Sequence, residues 1–212
     1  MFLTPIQKDV LVELFNIHVG ASASLLSSMV NQKIILSVPE IELISGADLN
    51  LFSFEQAGIF DSGEAVLSSI KFGDDFKGAA FIVFPGDKVR HLINACMGIE
   101  AKDRSFENQP LSFEEIDVLK EISNVTLNSV VGEFGNLIDV KIQFMTPEVE
   151  FSLVKSIDQE MIGDKNSHIL VLVTSFFLEK SSVKGIILIS LDDVSVKMVI
   201  DKIDELLEAQ ND

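Results

Sequence analysis

Apolar residues recur every three to four positions along residues 5–30, which predicts one long helix. Val10, Leu11, Leu14, Phe15, Ile17, Ala21, Leu25, Leu26 and Met29 cover most of its directions. One narrow face stays polar. Asp9, Glu13 and Asn16 fall at i, i+4 and i+7, on a single side of a helix with 3.6 residues per turn. Thr4-Pro5-Ile6-Gln7 marks the start, a hydroxyl cap with proline at the first helical position and a Gln that can answer the cap. The period then changes to alternation over residues 33–38 and, past Pro39, over 40–43, which read as strand. Residues 65–72 and 78–84, joined at Gly73-Asp74-Asp75, read as a hairpin. A helix opens at Pro85-Gly86-Asp87, runs to about Met97 and stops at Gly98.

The same order is then replayed. A helix from Ser112-Phe113-Glu114-Glu115 leads to strand-like segments 140–145 and 148–154, a loop at 163–166, a hairpin of 169–178 and 185–191 turning at 180–182, and a helix from Asp192 to about Leu207. Residue identities repeat as well: Asp9, Glu13, Asn16 and Pro39 return as Asp117, Glu121, Asn124 and Pro147, each 108 positions on (9 to 117, 16 to 124, 39 to 147). With usage of roughly 5% per residue type, four such coincidences at one offset arise by chance about once in 10⁵. Leu3-Thr4 becomes Leu111-Ser112, and Gly78 and Gly185 hold matching places in the two hairpins.

The pattern predicts an α/β fold, internally duplicated, with a largely antiparallel sheet packed against long amphipathic helices and pseudo-two-fold symmetry. The repeats cover about residues 1–104 and 105–212, and the charged stretch 101–109 joins them. It contains no Gly/Ser-rich or Pro-rich linker, so a single domain with one common core is expected.

A solvated stripe accounts for Asp and Glu on the polar faces. It does not account for Asn, a mediocre helix former whose side chain competes with the backbone, at the same interior position twice. The two faces are therefore candidate functional sites. Farther along them lie Gly20 and Ser27 in the first helix and Asn128 and Gly135 in the second, small residues that leave room for another surface. Pro39 and Pro147 suit strand ends or edge strands.

Composition narrows the chemistry. A formal charge of −17 argues against nucleic acid, whose phosphates need clustered Lys and Arg. No uninterrupted apolar run reaches the roughly 18 residues of a membrane span, since residues 169–178 are broken by Thr174 and Ser175. With no signal-peptide pattern at the N-terminus, a cytoplasmic protein without membrane insertion is expected. Cys96 is the single cysteine, in an apolar setting, and His18, His91 and His168 make no metal-ligand spacing. Glycine-rich phosphate loops are absent, so no cofactor of its own is expected.

Asp-x₃-Glu-x₂-Asn-x₂₂-Pro, present twice, resembles the signature of the CheC/FliY/CheX phosphatases of bacterial chemotaxis, as does the run Leu14-Phe15-Asn16-Ile17 through Gly20-Ala21 with Ser37-Val38-Pro39-Glu40. Length and both motif copies resemble CheC over nearly the whole chain. His18 departs from the glycine usual there, and the second half lacks the small-residue run after Asn124. The resemblance implies dephosphorylation of a phosphorylated CheY-type receiver. Asn16 and Asn124 would position the attacking water, Glu13 and Glu121 would dock on the receiver's lysine, and Asp9, Asp117, Pro39 and Pro147 would support the site. Mg²⁺ is expected in the receiver partner, and a CheD-like deamidase is a second candidate partner. The alternative is a non-catalytic module, either like the flagellar switch or binding a receiver or CheD without hydrolysis.

Overall fold

The computed structural model describes residues 2–30, 33–49, 63–99, 110–153, 157, 162, 167–178 and 181–209. In chain order these form α1 (Pro5–Val30), β1 (Ile35–Ser45), β2 (Glu64–Gly73), β3 (Gly78–Pro85), α2 (Gly86–Met97), α3 (Phe113–Ile138), β4 (Gln143–Phe144), β5 (Glu148–Leu153), β6 (His168–Leu178), β7 (Ser181–Leu191) and α4 (Asp193–Ala209). The expected join at 101–109 lies outside the described residues, as does the loop at 163–166.

Both long helices begin as their sequences dictate. The Thr4 N–H donates to Gln7 Oε1 at 2.8 Å and the Gln7 N–H to Thr4 Oγ1 at 3.3 Å. The Ser112 N–H donates to Glu115 Oε2 at 2.7 Å and the Glu115 N–H to Ser112 Oγ at 3.2 Å. Each reciprocal pair satisfies two amide groups that the first turn leaves unbonded. Gly98 ends α2 in the left-handed conformation, φ 68°, where a Cβ would be strained. Asp192 caps α4, its Oδ1 accepting from the Ser195 N–H at 2.8 Å.

Seven strands make one sheet in the order β1-β6-β7-β3-β2, with β4 and β5 both on the outer side of β2. Every pairing is antiparallel. The first strand of each half thus pairs with the hairpin of the other half, and β3 meets β7 at the centre. The registers repeat along with the order. Ile35 faces Phe177 and Gln143 faces Gly73, while Glu40 faces Val173 and Glu148 faces Ser69. Moving β1 on by 108 (35 to 143) and β2 by 104 (73 to 177) maps one edge onto the other.

Both edges also carry the same irregularity. Between Ser37 and Glu40 the register shifts by one residue, so Val38 and Pro39 together oppose Thr174. On the far edge the Met145 N–H bonds to Lys71 O at 2.9 Å and the ladder resumes at Glu148 opposite Ser69, leaving Thr146 and Pro147 opposite Ile70. Proline has no N–H for a ladder, and a bulge on an edge strand is where it fits. The two copies differ in what faces the bulge. Thr174 Oγ1 donates to Ser37 O at 3.1 Å, and β1 continues through its proline as one strand. Ile70 has no hydroxyl to offer, and the ladder breaks into β4 and β5.

Two details depart from the pattern-based reading. Ser181 and Ser182 belong to β7, opposite Leu178 and Phe177, rather than to a turn. Gly78 and Gly185 are not equivalent: Gly78 faces Phe72, whose counterpart Phe176 faces Val183, while Gly185 faces Thr174, the counterpart of Ile70. The hairpins differ in turn length, and matching by glycine identity slipped the register by two.

Among the described residues, helices α1 to α4 pack on one sheet face. Leu11, Phe15 and Val19 of α1, Leu92 and Ile93 of α2, Leu127 and Phe134 of α3, and Val199 and Ile203 of α4 meet Ile70, Ile82, Phe84, Leu172, Phe176 and Ile187. At its centre Phe15 meets Phe134 edge to face, with ring centroids 5.0 Å apart. A smaller cluster on the other face joins Leu67, Phe81, Val83, Val171, Ile186 and Leu188 to Ile157 and Ile162. By length and composition α1 is apolar enough over Pro5–Ser28 to cross a membrane. Leu11, Phe15, Val19 and Leu26 of this helix are buried in the core against the sheet.

Candidate functional site

Burying Leu11, Phe15, Val19 and Leu26 turns the opposite side of α1 outward, and Asp9, Glu13 and Asn16 are all exposed there. Asn16 Nδ2 donates to Val12 O at 2.9 Å, which holds the carboxamide against its own helix. In α3, burial of Leu119, Ile122, Thr126 and Val130 likewise leaves Asp117 and Glu121 exposed and Asn124 half-buried. Asp117 lies 3.9 Å from Lys120. Asn124 Oδ1 accepts from Asn128 Nδ2 at 3.0 Å. The helices therefore gather Asp9, Glu13 and Asn16 on one surface strip, and Asp117, Glu121 and Asn124 on another. Pro39 and Pro147 lie in the edge bulges of the sheet.

Phe15 meets Phe134 across α1 and α3, and the two-fold correspondence of the sheet registers runs the two helices in opposite directions. Asn124 lies ten residues before Phe134, and Asn16 one residue after Phe15. At 1.5 Å of rise per residue, the two asparagines are offset by about 14 Å along the helix pair.

The small residues do not all flank an open surface. A Cβ built on Gly20 would meet nothing within 4 Å, so that side of α1 is open. Ser27 points the other way: its Oγ donates to Ala23 O at 2.6 Å and accepts from the Ile34 N–H at 2.8 Å, tying α1 to the entry of β1. Gly135 is buried, and a Cβ there would come within 2.7 Å of Val140 O. Both positions let the chain after each helix fold back closely, which their spacing from the asparagine could not distinguish from an open face. Ile17 and Leu25, which the periodicity assigned to apolar directions, are 62% and 55% exposed, and Ile17 adjoins Asn16. The contact between Asn124 and Asn128 was missed, although the i, i+4 spacing of two carboxamides signals it.

Among the described residues no three His, Cys, Asp or Glu side chains gather as a metal site. Cys96, half-buried against the core in α2, has its thiol pushed up to about 11 by burial. It lies outside both motifs.

No protein-family model matches the chain. It is 25% identical over 178 residues to the CheY-P phosphatase CheC of Bacillus subtilis (strain 168), covering 81% of this chain and 80% of that protein. Its fold is similar to that of Thermotoga maritima FliY, with a TM-score of 0.74, 19% identity and coverage of 97% of this chain and 99% of that one. It is also similar to the FliM middle domain of H. pylori, with a TM-score of 0.63, 11% identity and coverage of 94% and 99%. The chain is thus similar to CheC in sequence and to FliY in fold, and its duplication carries the Asp, Glu and Asn pattern on both long helices.

Proposed function

We propose that this protein hydrolyses the aspartyl phosphate of a CheY-type receiver, with Asn16 and Asn124 each positioning an attacking water and Glu13 and Glu121 docking on the receiver's active-site lysine. The observation that carries the reading is the recurrence of Glu-x₂-Asn on the outward sides of the two long helices, with both glutamates and Asn16 exposed and Asn124 half-buried. An aspartyl phosphate is an activated acyl phosphate, and the Mg²⁺ and Lys that stabilise its transition state belong to the receiver. What a second protein adds is placement of water in line with the breaking bond. A carboxamide suits that task, because its oxygen accepts a water proton while its nitrogen donates. It is no base, so the phosphoryl group's own activation supplies the driving force.

Asp9 and Asp117 extend the acidic strip toward the receiver's lysine, and exposed Ile17 beside Asn16 gives a docked protein apolar surface to cover. Pro39 and Pro147 shape the sheet edges. The protein brings no metal of its own, acts in the cytoplasm, and a CheD-like deamidase is a further partner. Elemental analysis of the purified protein checks the first of these, and a stoichiometric transition metal would refute it.

The deciding assay follows decay of a phosphorylated CheY-type receiver. Asn16→Ala and Asn124→Ala should each slow it in part and together abolish it, while receiver binding stays within about tenfold, or 1.4 kcal/mol. Full activity in the double variant would end the mechanism. The likeness to the FliM middle domain favours a second reading, an interaction module without hydrolysis. Receiver binding with no acceleration of decay by the unmodified protein would select it.

A further inference from the structure

We infer that Asn128 restrains Asn124 and thereby slows the second copy of the site, an inference that rests on the water-positioning role proposed above. The Asn124 oxygen is the atom that would accept from the attacking water, and it already accepts from Asn128 Nδ2 at 3.0 Å. A donor fixed one helical turn away occupies one of that oxygen's two acceptor positions and holds the carboxamide toward its own helix, so aligning a water requires the group to turn against that bond. At the equivalent place in the first copy, 20 for 128, stands Gly20, which has no side chain to donate. Space is not the reason for the difference, since a Cβ at Gly20 would meet nothing within 4 Å.

A second observation separates Asn128 from an ordinary structural residue. Its Oδ1 is buried and has no hydrogen-bond partner among the described residues. Asparagine is a poor mid-helix residue, and an unpaired buried carbonyl is costly. Among the described residues the bond to Asn124 is the hydrogen bond this side chain makes. What it does is hold Asn124, which is also the less exposed of the two motif asparagines. Release of that hydrogen bond is required only when water is to be aligned. The restraint thus lowers the rate of the docked complex and leaves docking, assigned to Glu121, unchanged.

The test uses the full chain and a CheY-type receiver phosphorylated with acetyl phosphate. In an Asn16→Ala background, where the second copy acts alone, Asn128→Ala should raise the dephosphorylation rate at saturating receiver about threefold to tenfold, the worth of one hydrogen bond. The half-saturating receiver concentration should not move. The gain should vanish when Asn124 is also alanine. Asn128→Gly, the residue of the first copy, answers the same question if alanine disturbs the fold. An unchanged or lower rate in the folded variants overturns the restraint, as does a gain confined to the half-saturation point. Loss of activity in Asn16→Ala/Asn124→Ala would still uphold the underlying mechanism, whereas full activity there would remove both. Independently of turnover, the Asn128 side-chain amide resonance should shift on Asn124→Ala. An unmoved resonance would mean that the two carboxamides are not bonded in solution.

Discussion

Gln7 and Glu115 occupy the same place, the third residue of their helices, and each closes two contacts at once. Gln7 accepts from the Thr4 N–H with Oε1 and donates to Asp204 Oδ1 with Nε2 at 2.6 Å. Glu115 accepts from the Ser112 N–H with Oε2 and from Arg90 Nε with Oε1 at 2.9 Å. The side chains differ because their far partners do: an amide can donate to a carboxylate, and a carboxylate can accept from a guanidinium. In each case a cap in one half is fastened to the closing helix of the other.

Replacing these residues should therefore cost more than a cap alone. Glu115→Ala should destabilise by about 2–4 kcal/mol, because the pair with Arg90 is largely out of water. Gln7→Ala should cost about 1–2 kcal/mol. Thermal or urea unfolding would measure both, and a loss below 0.5 kcal/mol for Glu115→Ala, under the roughly 1 kcal/mol of a cap alone, would show that Arg90 is satisfied without it.

The hydroxyl opposite the first bulge offers a second stability test. Thr174→Val keeps the shape of a buried residue and leaves Ser37 O without its donor. A loss of about 1–2 kcal/mol is expected, together with faster amide exchange in β1. Unchanged exchange across residues 35–45 would remove Thr174 as the reason β1 stays whole.

On the exposed strips, Glu13→Lys and Glu121→Lys should weaken receiver binding far more than they disturb the fold. Reversing a charge against a partner lysine costs on the order of several kcal/mol in a complex. Binding to a phosphate-mimicking receiver should fall by more than tenfold, with circular dichroism unchanged. Normal binding by the folded double variant would take both glutamates out of the interface.

Cys96 supplies a pH-dependent readout of the core around α2. Burial penalises the thiolate and pushes this thiol up to about 11 in the folded protein, from an ordinary 9.0. The folded state thus holds this proton more tightly than the unfolded chain. The corresponding stability is complete below about pH 9 and is lost as pH rises toward 11. At pH 8 iodoacetamide should label the native protein about a hundredfold more slowly than the unfolded one. Equal rates would mean that the site opens readily.

Local chemistry was legible in the chain wherever it acts over a few residues. Both capping boxes, the Gly98 stop and the outward Asp and Glu of the two strips follow from spacing alone. The strand exchange was not legible, because Ile35 pairs with Phe177, 142 positions away, and alternation fixes a strand's faces without naming its neighbour. Ser27 and Gly135 were misplaced for a related reason. Whether a small residue admits a partner or the chain's own next turn depends on where that turn goes. Ile17 and Leu25 show the remaining limit: an apolar residue on a helix is buried only if another element covers it.

The crossing of first strands between halves also bears on how such a chain could have originated. One half alone would carry a strand with no hairpin to join and a hairpin with an open edge, a form prone to pairing with any available strand. Two separate copies could complete each other only as a swapped dimer, populated according to concentration. Fusing them replaces that second-order encounter with an intramolecular closure at an effective concentration on the order of millimolar. The covalent duplication thus makes assembly of both sites independent of how much protein the cell holds.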